Sequence, residues 1–237
     1  MTAIRTARER AREELTREIK TAARRHLASE GAQRLSLRAV ARELGMASSA
    51  LYRYYPSRDD LLTALIVDAY TDLADAVDAA LAAHPGPRAR WRALCTAVRT
   101  WARANPHEYA LVFGTPVPGY SAPQETVAPA ARLPLALIGV AHQAARAAGT
   151  TEDRAATGGA APALTGPLGE QLARLREEFA PGLPEPVLAR AAIAWTQLFG
   201  MIGFELFGHF VGSFDPADAF FAHAVEEMAD LVGLPAG

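Results

Sequence analysis

The chain has 237 residues, 50% of them hydrophobic and 21% charged, enough for one large domain or two small ones with a buried core. Its one cysteine, Cys95, excludes an internal disulfide and any cysteine-based zinc cluster, which fits a reducing cytoplasm. The net charge of −2 hides a split: residues 1–60 carry 13 Lys and Arg against 8 Asp and Glu, and the remainder carries 11 against 18. A basic head on an acidic body is the distribution needed when one end approaches a phosphate backbone and the other does not.

The first element is a helix over about 8–30, with Leu15, Ile19, Ala22, Ala23 and Leu27 as its apolar stripe and Gly31 as its stop. The first twenty residues of the chain are rich in Arg and Glu, contain no apolar run and do not read as a secretory signal. Arg5, Arg8, Arg10 and Arg12 alternate with Glu9, Glu13 and Glu14, the pattern of a solvated helix face, so this arm is given no DNA-binding role. Two short helices follow. Ser36 stands where its hydroxyl can cap the first, and Leu37, Val40, Ala41 and Leu44 fall at i, i+3, i+4 and i+7, which buries one face. Gly45 can take positive φ without a Cβ clash and turn the chain into a second helix beginning near Ser48. Met46, Leu51 and Tyr55 anchor that helix inward. Ala47, Ser48, Ser49, Tyr52, Arg53 and Tyr54 lie on or beside its outward face, which is hydroxyl-rich, cationic and small enough in places for close groove approach. After Pro56, Ser57 and Asp60 form a capping box for a helix running toward Ala83, whose stripe is Leu61, Leu62, Leu65, Ile66, Ala69, Leu73, Val77 and Leu81.

Ser36 through Leu61 resembles the helix-turn-helix of the TetR family of transcriptional regulators, which carries a Leu-Tyr pair, two further aromatics and a basic residue at fixed offsets. Here these are Leu51, Tyr52, Tyr54, Tyr55 and Arg58, with Tyr55 where phenylalanine is commoner and Arg58 where lysine is commoner. The resemblance implies an all-α protein with a DNA-binding domain at 1–57 and a helical effector-binding and dimerisation domain at 58–237. The residues expected to meet double-stranded DNA are Ser36, Arg38, Ala47, Ser48, Ser49, Tyr52, Arg53, Tyr54 and Arg58. Of these, Tyr52, Tyr54 and Arg58 are expected on phosphates, and Ser48, Ser49 and Arg53 nearest the bases.

The rest of the chain reads as helices at 88–104, 106–113, about 125–148, about 164–179, 187–211 and 216–233, with no credible strand ladder. Asn105-Pro106-His107-Glu108 and Asp215-Pro216-Ala217-Asp218 are both helix-start signatures. Residues 149–163, small, polar and glycine-containing, read as a loop without an assigned binding role. The apolar run Ala191–Phe204 is 14 residues long, short of the about 20 that span a bilayer, and reads as a buried helix. The helix at 187–211 is apolar on nearly every side, which demands cover on two sides and predicts a homodimer through 187–211 and 216–233. Two reading heads would suit a pseudo-palindromic operator with half-sites about one helical turn apart.

Residues 99–123 with Trp195 to Gly200 resemble the C-terminal domain of a TetR subgroup named for a Trp-His-Gly signature; Trp195 and Gly200 match, and Phe199 replaces the histidine. This implies a ligand-sensing domain. Trp101, Tyr109, Phe113, Tyr120, Trp195 and Phe199 supply aromatic walls, with His142 and Gln197 as orienting groups, for a small apolar or aromatic effector, although aromatics at this spacing also suit plain core. The six histidines show no paired metal spacing, and no phosphate-binding glycine loop or nucleophile elbow is present, so neither metal, cofactor nor enzymatic activity is expected. The competing readings are a helical small-molecule-binding or catalytic bundle whose N-terminal hairpin is structural, and an architectural DNA-binding protein without effector.

Overall fold

A computed structural model of the chain describes residues 6–147 and 164–235; the expected loop at 149–163 lies outside the described residues. Among the described residues there are ten α-helices, two short 3-10 turns and no strand. The helices are α1 Ala7–Glu30, α2 Leu37–Glu43, α3 Ser48–Leu51, α4 Arg58–Ala82, α5 Pro87–Ala104 and α6 Pro106–Phe113. They continue with α7 Val127–Ala147, α8 Gly166–Phe179, α9 Glu185–Leu206 and α10 Asp218–Val232.

The chain packs into two compact units, Met1–Thr71 with Asn105–Pro129, and Asp72–Ala104 with Ala130–Gly237. The division falls within α4 and not at the expected 57/58. The reason is burial: Leu61, Leu62, Leu65 and Ile66 of α4 belong to the same core as Ile19, Ala22, Leu27, Val40 and Leu51. Leu111, Val112, Val117 and Tyr120 pack partly buried against that core, so α6 and the chain after it complete the first unit. Thr63 and Tyr120 share a hydrogen bond of 2.9 Å there, and Arg24 lies 3.3 Å from Glu108.

In the second unit, α9 packs against α5, α8 and α10, and α10 against α5. Arginines of α5 fasten this packing. Arg88 donates to Glu226 at 2.9 Å, Asp230 at 2.6 Å and the carbonyl of Leu234, while Arg99 forks onto both oxygens of Glu205 and also reaches Asp218. The Trp91 indole donates to the carbonyl of Val225.

Two helix ends differ from the sequence reading. The helix expected to reach 211 stops at Leu206, because Gly208 takes φ +79° and the amide of His209 turns back to the carbonyl of Phe204 at 2.9 Å. The helix expected from 216 opens at Asp218, whose carboxylate is held by Arg99. At 22 residues α9 is long and apolar enough, by length and composition, to cross a membrane, since it extends past the Ala191–Phe204 stretch at both ends. Here its buried face, including Leu198, Phe199 and Ile202, packs on protein, while Ile193, Phe204 and, just past its end, Phe207 stay about half exposed.

Candidate nucleic-acid interface

The head is built on α1, whose N-terminus is closed by a reciprocal pair: Thr6 donates its amide to Glu9, and Glu9 donates its amide to the Thr6 hydroxyl. Its buried face, Ile19, Ala22, Ala23 and Leu27, supports α2 through Leu37, Val40 and Ala41. On the rim, Arg25 and His26 both reach the carboxylate of Glu43, at 2.6 Å and 3.0 Å. Gly45 has φ +64°, and the amide of Met46 donates to the carbonyl of Ala41 at 2.9 Å, closing α2 and turning the chain.

The recognition segment that follows is shorter than a full helix. Only Ser48–Leu51 is α-helical, after which the amides of Arg53 and Tyr54 bond back to Ala50 and Leu51 in a tighter turn. Pro56 explains this, because it has no N–H to continue the ladder and pushes Tyr55 toward extended backbone. Leu51 is wholly buried and Tyr55 nearly so, which fixes the segment to the core and turns the other side outward.

On that outer side Ala47, Ser49, Tyr52 and Arg53 are exposed, as is Arg38 of α2, and Ser36, Ser48 and Tyr54 are partly exposed. Ser36 occupies the N-cap position of α2, although its hydroxyl makes no capping bond. None of these solvent-accessible residues is acidic, which suits phosphate and base edges. Beneath it, burial and the nearby Asp68 carboxylate push the Tyr55 phenol up to about 12, with Arg24 opposing, so Tyr55 stays neutral and anchors by packing.

Two residues behave differently from the sequence reading. Arg58 is partly buried and donates to the carbonyls of Ala32 at 2.9 Å and Gln33 at 3.4 Å, stapling the start of α4 to the turn after α1. Its guanidinium is thus engaged within the head. Arg12, which by spacing belongs to a solvated helix face, holds its guanidinium over the Tyr54 ring at 5.8 Å. Spacing along α1 could not reveal that contact, since the two residues are 42 positions apart. Ser57 and Asp60 do form the expected capping box, with Ser57 donating its amide at 2.8 Å and Asp60 donating its own at 3.1 Å.

The proposed effector residues are not brought together in one unit. Tyr109, Phe113 and Tyr120 belong to the first unit, with Tyr109 and Phe113 ring centroids 5.2 Å apart. Trp101, His142, Trp195, Gln197 and Phe199 belong to the second; there Trp101 and Phe199 are buried, Gln197 is exposed, and the Trp195 and Phe199 rings meet at a tilt of 40° with centroids 4.5 Å apart.

A family model described as "Bacterial regulatory proteins, tetR family" matches residues 19–65, and "Tetracyclin repressor-like, C-terminal domain" matches residues 91–228. The chain belongs to the TetR family. It is a DNA-binding transcriptional regulator. The HTH-type transcriptional regulator Rv1816 of Mycobacterium tuberculosis is 41% identical over 206 residues, covering 84% of each chain. Among solved structures, the regulatory protein SCO4313 superposes with a TM-score of 0.75 at 34% identity, covering 95% of this chain and all of that one. A protein of unknown function from Rhodococcus sp. RHA1 shares the fold, with a TM-score of 0.67 at 24% identity over 94% of this chain and 96% of that one. The two family matches meet the two ends of this TetR-family regulator separately: the first covers the helix-turn-helix with the second half of α1, and the second runs from Trp91 in α5 to Met228 in α10.

Proposed function

We propose that this TetR-family regulator is a cytoplasmic repressor that binds a pseudo-palindromic operator as a homodimer and leaves it when a small apolar or aromatic effector binds. The observation that carries the DNA-contact assignment is the outward face from Ala47 to Tyr54, exposed, free of acids and fixed from beneath by Leu51 and Tyr55. In this reading Tyr52, Tyr54 and Arg58 hold phosphates, Ser48, Ser49 and Arg53 lie nearest the bases with Ala47 allowing close approach, and Ser36 and Arg38 flank the contact. Arg58 then has two duties, one toward DNA and one toward the Ala32 carbonyl.

Support for the homodimer comes from α9. Ile193, Gln197, Gly200 and Phe204 recur along one exposed face, and Ala219, Ala222 and His223 are exposed on α10. A protomer in water leaves that apolar strip wet, and burying it against a second copy recovers about 25 cal/mol per Å². Helix α4 contributes residues to both units, which offers a continuous path for an effector in the body to act on the head.

Fluorescence anisotropy with the chain's own upstream intergenic DNA, over a salt series, tests the reading. Sequence-dependent, salt-sensitive binding with two protomers per operator is expected, and reduced transcript from that promoter in a reconstituted reaction. Equal affinity for random duplex, or increased transcript, rejects it.

A further inference from the structure

A groove of about 300 Å³ lies among α7, α8 and α9, wholly within the second unit. Its hollow exists because α9 presents Ala191 and Ala192 where larger side chains would fill it, facing Ala131 of α7. Ile138 and Trp195 form walls, and Leu135, Leu175 and Phe179 stand exposed at the rim. No charged side chain lines it, and the Trp195 indole is the single side-chain hydrogen-bond donor among the lining residues.

We infer that this groove is the effector seat, and that its occupant is an uncharged, mostly apolar molecule of about two fused rings with at most one hydrogen-bond acceptor. The inference rests on the effector reading above and relocates the site, since of the aromatic and polar residues first proposed only Trp195 lines it. The volume and the uncharged lining select the occupant. The volume sits at the low end of the roughly 300–1,000 Å³ of small-molecule sites. A charged ligand would lose its hydration without gaining a partner. A second copy covering Ile193 and Phe204 does not fill the groove either, because Trp195 follows Ile193 by two positions and precedes Phe204 by nine. At about 100° per residue it faces the opposite side of α9.

The test uses the full chain and two fluorescent probes of one skeleton, neutral N-phenyl-1-naphthylamine and anionic 8-anilino-1-naphthalenesulfonate. The neutral probe is expected to bind once per protomer with micromolar Kd and to quench tryptophan emission, with the sulfonate weaker by about tenfold or more. Ala192→Phe, which fills the groove from its exposed side, and Leu175→Lys, which charges the rim, should each weaken the neutral probe about tenfold while leaving the thermal transition cooperative. Equal binding of both probes, or neutral-probe binding indifferent to both substitutions, overturns the proposal. A change in sedimentation by Ala192→Phe with probe affinity unmoved does so in favour of a subunit contact. Probe binding that both substitutions weaken supports the site; if operator affinity then ignores the probe, it is the effector reading that fails.

Discussion

The outward segment of the head and the outward face of α9 are both exposed in one protomer, yet they differ in what they ask of a partner. Ala47 to Tyr54 presents hydroxyls, an arginine and small side chains above a closed core, and is stable in water until a duplex replaces that water. Ile193, Phe204 and Phe207 present hydrocarbon that water solvates poorly, with Phe204 54% exposed. The first surface gains from charge and hydrogen bonds and should respond to salt, and the second gains from area and should not.

Four measurements break or sharpen this contrast. Phe204→Glu, which charges the apolar face, is expected to halve the mass in sedimentation velocity and lower operator affinity about a thousandfold, within the range avidity supplies. Unchanged mass would remove the contrast. Arg99→Ala leaves the Glu205 carboxylate without its bidentate partner in a mostly buried place and should cost about 3 kcal/mol in chemical denaturation, with heads still competent at low temperature. Arg58→Ala should cost about 1 kcal/mol of head stability through the lost bond to the Ala32 carbonyl, and also reduce the salt slope of DNA binding by about one. A slope unchanged beside the lost stability would assign Arg58 to the staple alone.

The smallest effect is a pH dependence confined to the body. Hydrogen bonds from Arg92, and then from Arg88, hold the Glu226 carboxyl down to about 2, against the opposing effect of burial. A carboxylate whose folded pKa is depressed adds stability above its unfolded value near 4.5, and that stability is lost as pH falls from there toward 2. Solvent screening of this partly exposed group limits the contribution to about 1 kcal/mol. Glu226→Gln should flatten the acid limb of thermal stability below pH about 4.5 by that amount, while operator binding at neutral pH stays unchanged.

Much of the head was legible in order of residues. The apolar spacing of α1 and α2, Gly45 at the turn and the Ser57-Asp60 box are local features whose bonds close within five residues, so sequence alone specifies them. The shortness of α3 was less legible although its cause, Pro56, was in view. The pairing of Arg12 with Tyr54 and of Arg58 with the Ala32 carbonyl was not legible, because each joins residues tens of positions apart. In the body the need of α9 for cover followed from its composition, whereas its end at Leu206 depended on the backbone taken at Gly208.

The sequence by itself determined an all-helical chain, a TetR-like reading segment and an apolar helix with more hydrocarbon than one protomer hides, because periodicity and capping act over single turns. Tertiary structure alone decided that α6 and residues up to 129 complete the head, that the proposed aromatic residues divide between two units, and that three helices leave an apolar hollow beside Trp195. Those outcomes depend on which side chains meet across long stretches of chain, and spacing along one helix carries no record of its neighbours.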